Sequence, residues 1–286
     1  MGLEMERVVL LTHGKVSVAA GPLEESLAIL RKRGMTVSVP QNEWDKHGDI
    51  LASAGNVRLA LTPEDLADAE LCLVLGGDGT MLRAFHLTRD LAIPVAGVNL
   101  GRVGFLTTIL PEDLVIGLHR LLDGDFVEYP LLGLEASIGA ETFRATNDVA
   151  VSKGDRSRVC SLALTINGVT LFEVLCDGVI AATPAGSSAY SLAAGGPLLG
   201  ISVQAYVISL VAPHLVGVRP VVAAPGDVLE IINTEEELDC YIDVDGQRSA
   251  TLTPGAILRV RATPAMTSLA LLGGDSLYHH FRDRLL

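Results

Sequence analysis

The sequence predicts an α/β N-terminal domain with a parallel sheet, followed by a β-rich, sandwich-like C-terminal domain. Three observations carry this. The length of 286 residues allows about two domains. Apolar β-like runs alternate with helix-like segments over the first hundred or so residues, the pattern of strands joined by crossover helices. Beyond Phe126 that alternation gives way to short β-like runs divided by turn signals, Asn167-Gly168 and Asp245-Gly246 foremost.

In order, Val8–Thr12 reads as a strand and Pro22–Arg33 as a helix, with proline near its start and Gly34 just past its end. Met35–Val39 is a second strand. Residues 41–68, with Trp44 and His47, show no clear period and read as a loop, with a short helix entered at Thr62-Pro63-Glu64-Asp65. The strand Leu71–Leu75, a glycine loop, a helix to about Thr88 and the strand Val95–Val98 follow, and Pro111-Glu112-Asp113 opens a helix that stops at Gly124. The β-rich part draws on runs at Phe143–Val151, Leu162–Ile166, Leu171–Leu175, Tyr206–Ala212, Val228–Ile232, Cys240–Val244 and Ile257–Arg261. The expected division is 1–107, 108–270 and a tail, 271–286, in which Tyr278, Phe281 and Leu285 at helical spacing suit packing back on the first domain.

Composition narrows the function. A net charge of -13 provides no basic stripe to displace counterions, which argues against nucleic acid as a partner. Charged residues make up only 19% of the chain, so surface buried between domains or subunits is expected, and with it a homodimer or homotetramer. No apolar run is long enough for a membrane span and no targeting segment is visible, so a cytoplasmic location is expected. The four cysteines stand apart without a C-x-x-C pair and read as reduced thiols in apolar runs.

The chemistry centres on Gly76-Gly77-Asp78-Gly79-Thr80, between the run Leu71–Leu75 and a helix start. Glycines at a strand-to-helix turn let backbone amides close around phosphate oxygens. Asp78 adds something a passive cradle lacks: beside phosphates a carboxylate repels unless a cation intervenes or it takes a proton from an attacking hydroxyl. Gly-Asp-Gly also serves ordinary turns, and the loop alone leaves both readings open. A second loop at a strand end, Asn99 to Leu106, offers two glycines and the cation of Arg102 as a wall of the same cleft, or as a plain turn with a surface arginine. A third, Thr183 to Tyr190, brings amides, hydroxyls and a flat aromatic together, which suits a ribose phosphate and a base but also tight helix-on-sheet packing.

Taken in order, Gly76-Gly77-Asp78-Gly79-Thr80, Asn99-x-Gly-x-x-Gly-Phe-Leu106, Asn147-Asp148, Asp177-Gly178, Thr183-Pro184-x-Gly186-Ser187-x-Ala189-Tyr190, Gly195-Gly196-Pro197, Pro213-His214 with Arg219-Pro220, and Asp245-Gly246-Gln247 resemble the motifs of NAD kinases over roughly residues 70–250. The resemblance implies transfer of the ATP γ-phosphate, or a phosphate of polyphosphate, to the 2′-hydroxyl of the adenosine ribose of NAD, with Mg²⁺ or another divalent cation. Under it, Asp78 orients or deprotonates that hydroxyl, Gly77 and Gly79 let the backbone approach, and Thr80 begins the helix. Asn147 reads the adenine edge, since an amide matches a base that both donates and accepts. Asp148 and Asp177 accept from ribose hydroxyls or the nicotinamide half, and Ala189 and Tyr190 line the adenine or ribose pocket. Asn99, Arg102, Phe105, Ala185, Ser188 and Gln247 complete the implied binding set, with no protein metal ligand among them. The family usually has Glu at Asp148, Thr or Ser at Ala185, Thr at Ser188 and often Ser at Ala193, so this chain lacks two hydroxyls. A lipid or sugar kinase sharing only the glycine loop, and a non-catalytic dinucleotide-binding module, are the alternatives.

Overall fold

The structure, a computed structural model, describes residues 5–101, 104–155, 157–274 and 282. The chain divides into two compact units, Met1–Pro130 with Thr267–Leu286, and Leu131–Met266. The boundary expected after residue 107 therefore lies inside the first unit. Of the expected tail, Leu271 and Leu272 belong to the last strand and residues 273–274 follow it, and apart from Arg282 the rest, including Tyr278, Phe281 and Leu285, lies outside the described residues.

The first unit contains β1 (Arg7–Thr12), α1 (Val16–Lys32), β2 (Thr36–Pro40), α2 (Gln41–Ala54), β3 (Val57–Ala60), β4 (Leu71–Gly76), α3 (Asp78–Leu87), β5 (Pro94–Asn99) and α4 (Leu114–Leu122). Its strands run parallel in the order β5-β4-β1-β2-β3, with Thr12 of β1 opposite Leu75 of β4 and Gly76 opposite Asn99 of β5. Every residue of β4 and β5 is buried, as expected of parallel strands covered on both faces. Leu10, Leu73 and Leu75 pack with Leu23, Leu27 and Leu30 of α1 and Leu118 and Leu121 of α4 in one core.

Two elements depart from the sequence expectation. Helix α1 begins at Val16, so Pro22 stands inside it. Ala19, Leu23, Ser26, Leu27 and Leu30 form one buried face across the proline, and that packing outweighs the hydrogen bond it removes. The expected loop after β2 is instead helix α2 and strand β3. The buried residues of α2 are Glu43, His47 and Leu51, spaced four apart, so two of the three inward positions are polar and the apolar period is hidden. The helix also kinks at His47, whose φ is -130° and ψ 22°.

The second unit is a sandwich of antiparallel strands. The chain enters it through β6 (Phe126–Ile138) and continues through β7 (Glu141–Ala145), β8 (Asp148–Lys153), β9 (Cys160–Ile166), β10 (Val169–Cys176), β11 (Gly178–Ala182), the short helix α5 (Tyr190–Ala193), β12 (Tyr206–Val211), β13 (Val221–Ala223), β14 (Val228–Asn233), β15 (Cys240–Val244) and β16 (Gln247–Leu252). It leaves through β17 (Ile257–Leu272), whose Ser268 and Leu269 pair in parallel with β5 of the first unit's sheet. One sheet has the order β13-β12-β11-β8-β15-β16, and the other runs β10-β9-β14-β17. Leu162, Leu164, Leu229 and Leu258 from one sheet meet Val149, Val179, Tyr206 and Ile242 from the other in a single core. The hairpin turns at Asn167-Gly168 and Asp245-Gly246 have positive φ at both residues, the mirror-image turn that Asn-Gly and Asp-Gly favour.

The expected run Phe143–Val151 is split into β7 and β8, because the amides of Thr146, Asn147 and Asp148 all donate to the Asp245 carboxylate. Strand β11, every residue of it buried, occupies the short apolar stretch before Thr183, which is absent from the β-like runs expected from the sequence. All four cysteines are buried and none is in a disulfide. Among the described residues no helix is long and apolar enough to cross a membrane.

Candidate functional site

In the first unit the glycine loop sits at the carboxyl end of β4, where ligands bind in open parallel sheets. Gly77 precedes α3 and Asp78 is its first residue, so the carboxylate stands at a helix amino end. The backbone N–H of Phe105 donates to Asp78 Oδ2 at 2.8 Å and that of Leu106 to Oδ1 at 3.0 Å. The carboxylate thus joins the loop after β4 to the loop after β5. Gly104 makes this approach possible: a Cβ there would lie 2.2 Å from Asp78 Oδ1 and 2.6 Å from Thr107 Oγ1. Asp78 and Gly77 are half-buried, Gly79 is exposed, and Thr80 and Phe105 are buried. Asn99, also buried, accepts from the Gly101 N–H at 3.0 Å through Oδ1, which closes the second loop on itself. Arg102 lies outside the described residues.

A polar cluster that the sequence reading missed lies at the neighbouring strand end. Glu43 of α2 is 1% exposed and accepts from Thr12 N at 3.1 Å, from Lys46 Nζ at 2.7 Å and from Arg83 Nη2 at 2.8 Å. Thr12 Oγ1 donates to Glu43 Oε2 at 2.5 Å and lies 3.0 Å from His47 Nε2. Burial, then the Lys46 charge, push the His47 imidazole below its usual range, with Glu43 opposing. The signal that could have found the cluster is the four-residue spacing of Glu43, His47 and Leu51.

In the second unit Asn147, Asp148, the Thr183 loop and Asp245 come together. The Asp245 carboxylate accepts from the N–H groups of Thr146 at 2.9 Å, Asn147 at 2.7 Å and Asp148 at 3.1 Å. Thr183 Oγ1 donates to the Thr146 carbonyl at 2.6 Å and accepts from the Gly186 N–H at 3.0 Å, while the Thr183 N–H donates to the Asn147 carbonyl at 2.9 Å. A Cβ on Gly186 would lie 2.1 Å from the Asn147 carbonyl oxygen, so only glycine lets the loop press on Asn147. The buried Asn147 Oδ1 has no hydrogen-bond partner among the described residues. Burial, then Asp245 and Asp243, push the Asp148 carboxyl up to about 7.

Around this core Ala185 is buried, Ser188 is half-buried and donates to the Ala185 carbonyl at 3.2 Å, and Ala189 and Tyr190 are exposed. Gln247, just past the Asp245 turn, is exposed too. Asp177 is not brought to this group. It precedes β11 while Thr183 follows it, a separation of about 20 Å along an extended strand, and its carboxylate pairs with Lys153 at 2.8 Å.

These two arrangements coincide with two family models, the ATP-NAD kinase N-terminal domain over residues 4–126 and the ATP-NAD kinase C-terminal domain over residues 146–272. The chain belongs to the ATP-NAD kinase family. It is 35% identical over 259 residues to the NAD kinase of Gemmatimonas aurantiaca, covering 87% of this chain and 85% of that protein. It is 34% identical over 261 residues to the NAD kinase of Aromatoleum aromaticum, covering 90% and 85%. Its fold matches a yeast NADH kinase solved with NADH, at a TM-score of 0.87 and 20% identity over 99% of this chain and 88% of that one. It also matches an Archaeoglobus fulgidus NAD kinase solved with ATP, at a TM-score of 0.71 and 23% identity over 98% of both chains. Membership of the ATP-NAD kinase family makes the chain a phosphotransferase and disfavours the lipid-kinase, sugar-kinase and non-catalytic readings.

Proposed function

We propose that the chain phosphorylates the 2′-hydroxyl of the adenosine ribose of NAD, with ATP as donor and Asp78 as the group that orients and deprotonates the hydroxyl. The observation that carries this is the half-buried Asp78 carboxylate, fixed by the Phe105 and Leu106 amides. The two amides fix the orientation of the carboxylate, as a group that takes a proton from a substrate hydroxyl requires. Gly77 and Gly79 leave the backbone amides open to phosphate oxygens. Asn147 supports the acceptor reading: its partnerless Oδ1 suits the adenine amino group, and its Nδ2 suits N7. Asp148 and Ser188 border the same place, and Ala189 and Tyr190 expose the surface on which a base could lie.

Among the described residues no group of three or more His, Cys, Asp or Glu is placed to hold a metal ion. Magnesium is commonly carried by the donor's phosphates and water with one or two protein carboxylates, and at the glycine loop that carboxylate would be Asp78. The ion would supply neutralisation of the phosphate charge; proton removal and orientation are left to Asp78. Leu215, Val216 and Val222 are exposed apolar residues, which supports a homodimer or homotetramer. In such an assembly a second copy could present Asp177 to the dinucleotide. We place the enzyme in the cytoplasm, where both substrates are found.

The test is to incubate the protein with NAD, Mg²⁺ and either ATP or polyphosphate and to separate the products. NADP formed with ATP is the expected result. No NADP with either donor, and labelled phosphate on a sugar or lipid from an acceptor panel, would overturn the proposal.

A further inference from the structure

The cluster around Glu43 lies next to the glycine loop without being part of any motif of the sequence. Thr12 ends β1, the strand beside β4, and the register sets Thr12 opposite Leu75, one residue before Gly76. Arg83 stands on α3 five residues after Asp78, about 7.5 Å along the helix axis. Asp78 turns toward the loop after β5, whereas Arg83 reaches over β1 to Glu43 and, at 3.5 Å, the Thr12 carbonyl. The two side chains therefore flank the end of β4 from opposite sides.

Charge and exposure set this cluster apart from a plain buried ion pair. A buried carboxylate needs one cation to be neutralised, and Glu43 has two, Lys46 and Arg83. His47 is held neutral by its burial, which leaves a net charge of about +1 in a chain of net charge -13. The Lys46 ammonium makes three contacts, to Glu43 and to both oxygens of Thr12, so what it has left to offer is charge. Arg83 differs. Its contacts to Glu43 and Thr12 use two of five guanidinium donors, and its side chain is 38% exposed. A guanidinium fixed on one edge by a buried glutamate, with its other edge toward solvent, is a preorganised phosphate receptor.

We infer that Arg83, anchored by Glu43 and reinforced by the Lys46 charge, holds the distal phosphates of the phosphoryl donor on the β1 side of the glycine loop. The inference rests on the proposed kinase function and adds where the donor's phosphate chain runs. The ligand is a chain of linked phosphates, which either ATP or inorganic polyphosphate supplies.

The experiment has two parts. In the first, inorganic tripolyphosphate is tested for protection of Arg83 against phenylglyoxal in the wild-type chain, with modified peptides read by mass spectrometry. Protection at Arg83 of several-fold or more is expected, and an unchanged rate of modification overturns the inference. This part needs no catalysis, so it still decides if no NADP is ever formed, a result that would instead count against the proposed function. In the second, Arg83→Gln and Arg83→Lys are compared with wild type using ATP and, separately, polyphosphate as donor. Arg83→Gln should raise the KM for the donor about tenfold or more and leave the KM for NAD unchanged, with partial rescue in Arg83→Lys. A rise with ATP alone assigns the site to the nucleotide donor, and a rise with both assigns it to any phosphate chain. An unchanged donor KM in a variant with the wild-type melting temperature overturns the inference and makes the cluster a structural ion pair.

Discussion

Asp78 in the first unit and Asp245 in the second are held by the same device, a carboxylate accepting from consecutive backbone amides. Asp78 accepts from the N–H groups of Phe105 and Leu106, and Asp245 from those of Thr146, Asn147 and Asp148. The difference is access. Asp78 is half-buried, whereas Asp245 is 8% exposed and sits in a hairpin turn. Half-buried, an amide-fixed carboxylate is within reach of a substrate hydroxyl. Closed off, the same device serves to shape the chain, and here it bends β7 away from β8 so that Asn147 is presented from the gap. The buried aspartate also acts on its neighbour, because its charge helps to raise the Asp148 carboxyl.

The comparison breaks most readily at Gly104. Gly104→Ala would place a methyl against the Asp78 carboxylate, and a displacement of about 1 Å at a reacting group can cost 10²-fold in rate. We expect turnover to fall by about that factor, measured as NADP formation, with the fold retained by circular dichroism. Asp245→Ala should act on stability. Three buried or partly buried amides lose their acceptor at about 1–3 kcal/mol each, so a loss of at least about 3 kcal/mol is expected in urea unfolding.

The Asp148 prediction has a defined sign. Its folded value of about 7 exceeds the ordinary 3.8, so between those two the folded chain binds a proton that the unfolded chain has released. Stability therefore falls as pH rises through that window, and the whole penalty is present above 7. The difference corresponds to at most about 4 kcal/mol. Asp148→Asn should remove it, raising the melting temperature relative to wild type at pH 8 but not at pH 4. A gain that does not vary with pH would show that burial and the neighbouring aspartates do not raise the Asp148 carboxyl. The smallest effect is expected at Ala185, which is 4% exposed. Ala185→Thr would add volume to a packed loop at a cost of about 1–3 kcal/mol, seen as a lowered melting temperature and a raised KM for NAD.

Much of this was legible in the sequence because local chemistry and position agree there. Three glycines between an apolar run and a helix start marked the loop of Asp78, and Asn-Gly and Asp-Gly marked the two hairpins. What the sequence hid depends on contacts far apart in the chain. Helix α2 was invisible because Glu43 and His47 occupy inward positions where apolar residues carry the period, and they do so only because Thr12, Lys46 and Arg83 satisfy them. Asp245 read as a turn residue, since its partners lie about a hundred positions earlier. Asp177 read as one group with Thr183 because strand β11 between them is too short and too uniformly apolar to show a period.

The most direct test of the account is Asp78→Asn assayed for NADP formation from NAD and ATP, with NAD affinity and melting temperature measured on the same protein. An amide can accept from only one of the Phe105 and Leu106 N–H groups, so a modest loss of stability of about 1–3 kcal/mol is expected. With the chain folded and NAD still bound, the account predicts that turnover falls by about 10²-fold or more, the scale of general-base catalysis. Near-normal turnover in that folded variant would contradict it and leave Asp78 as no more than the tie between two loops.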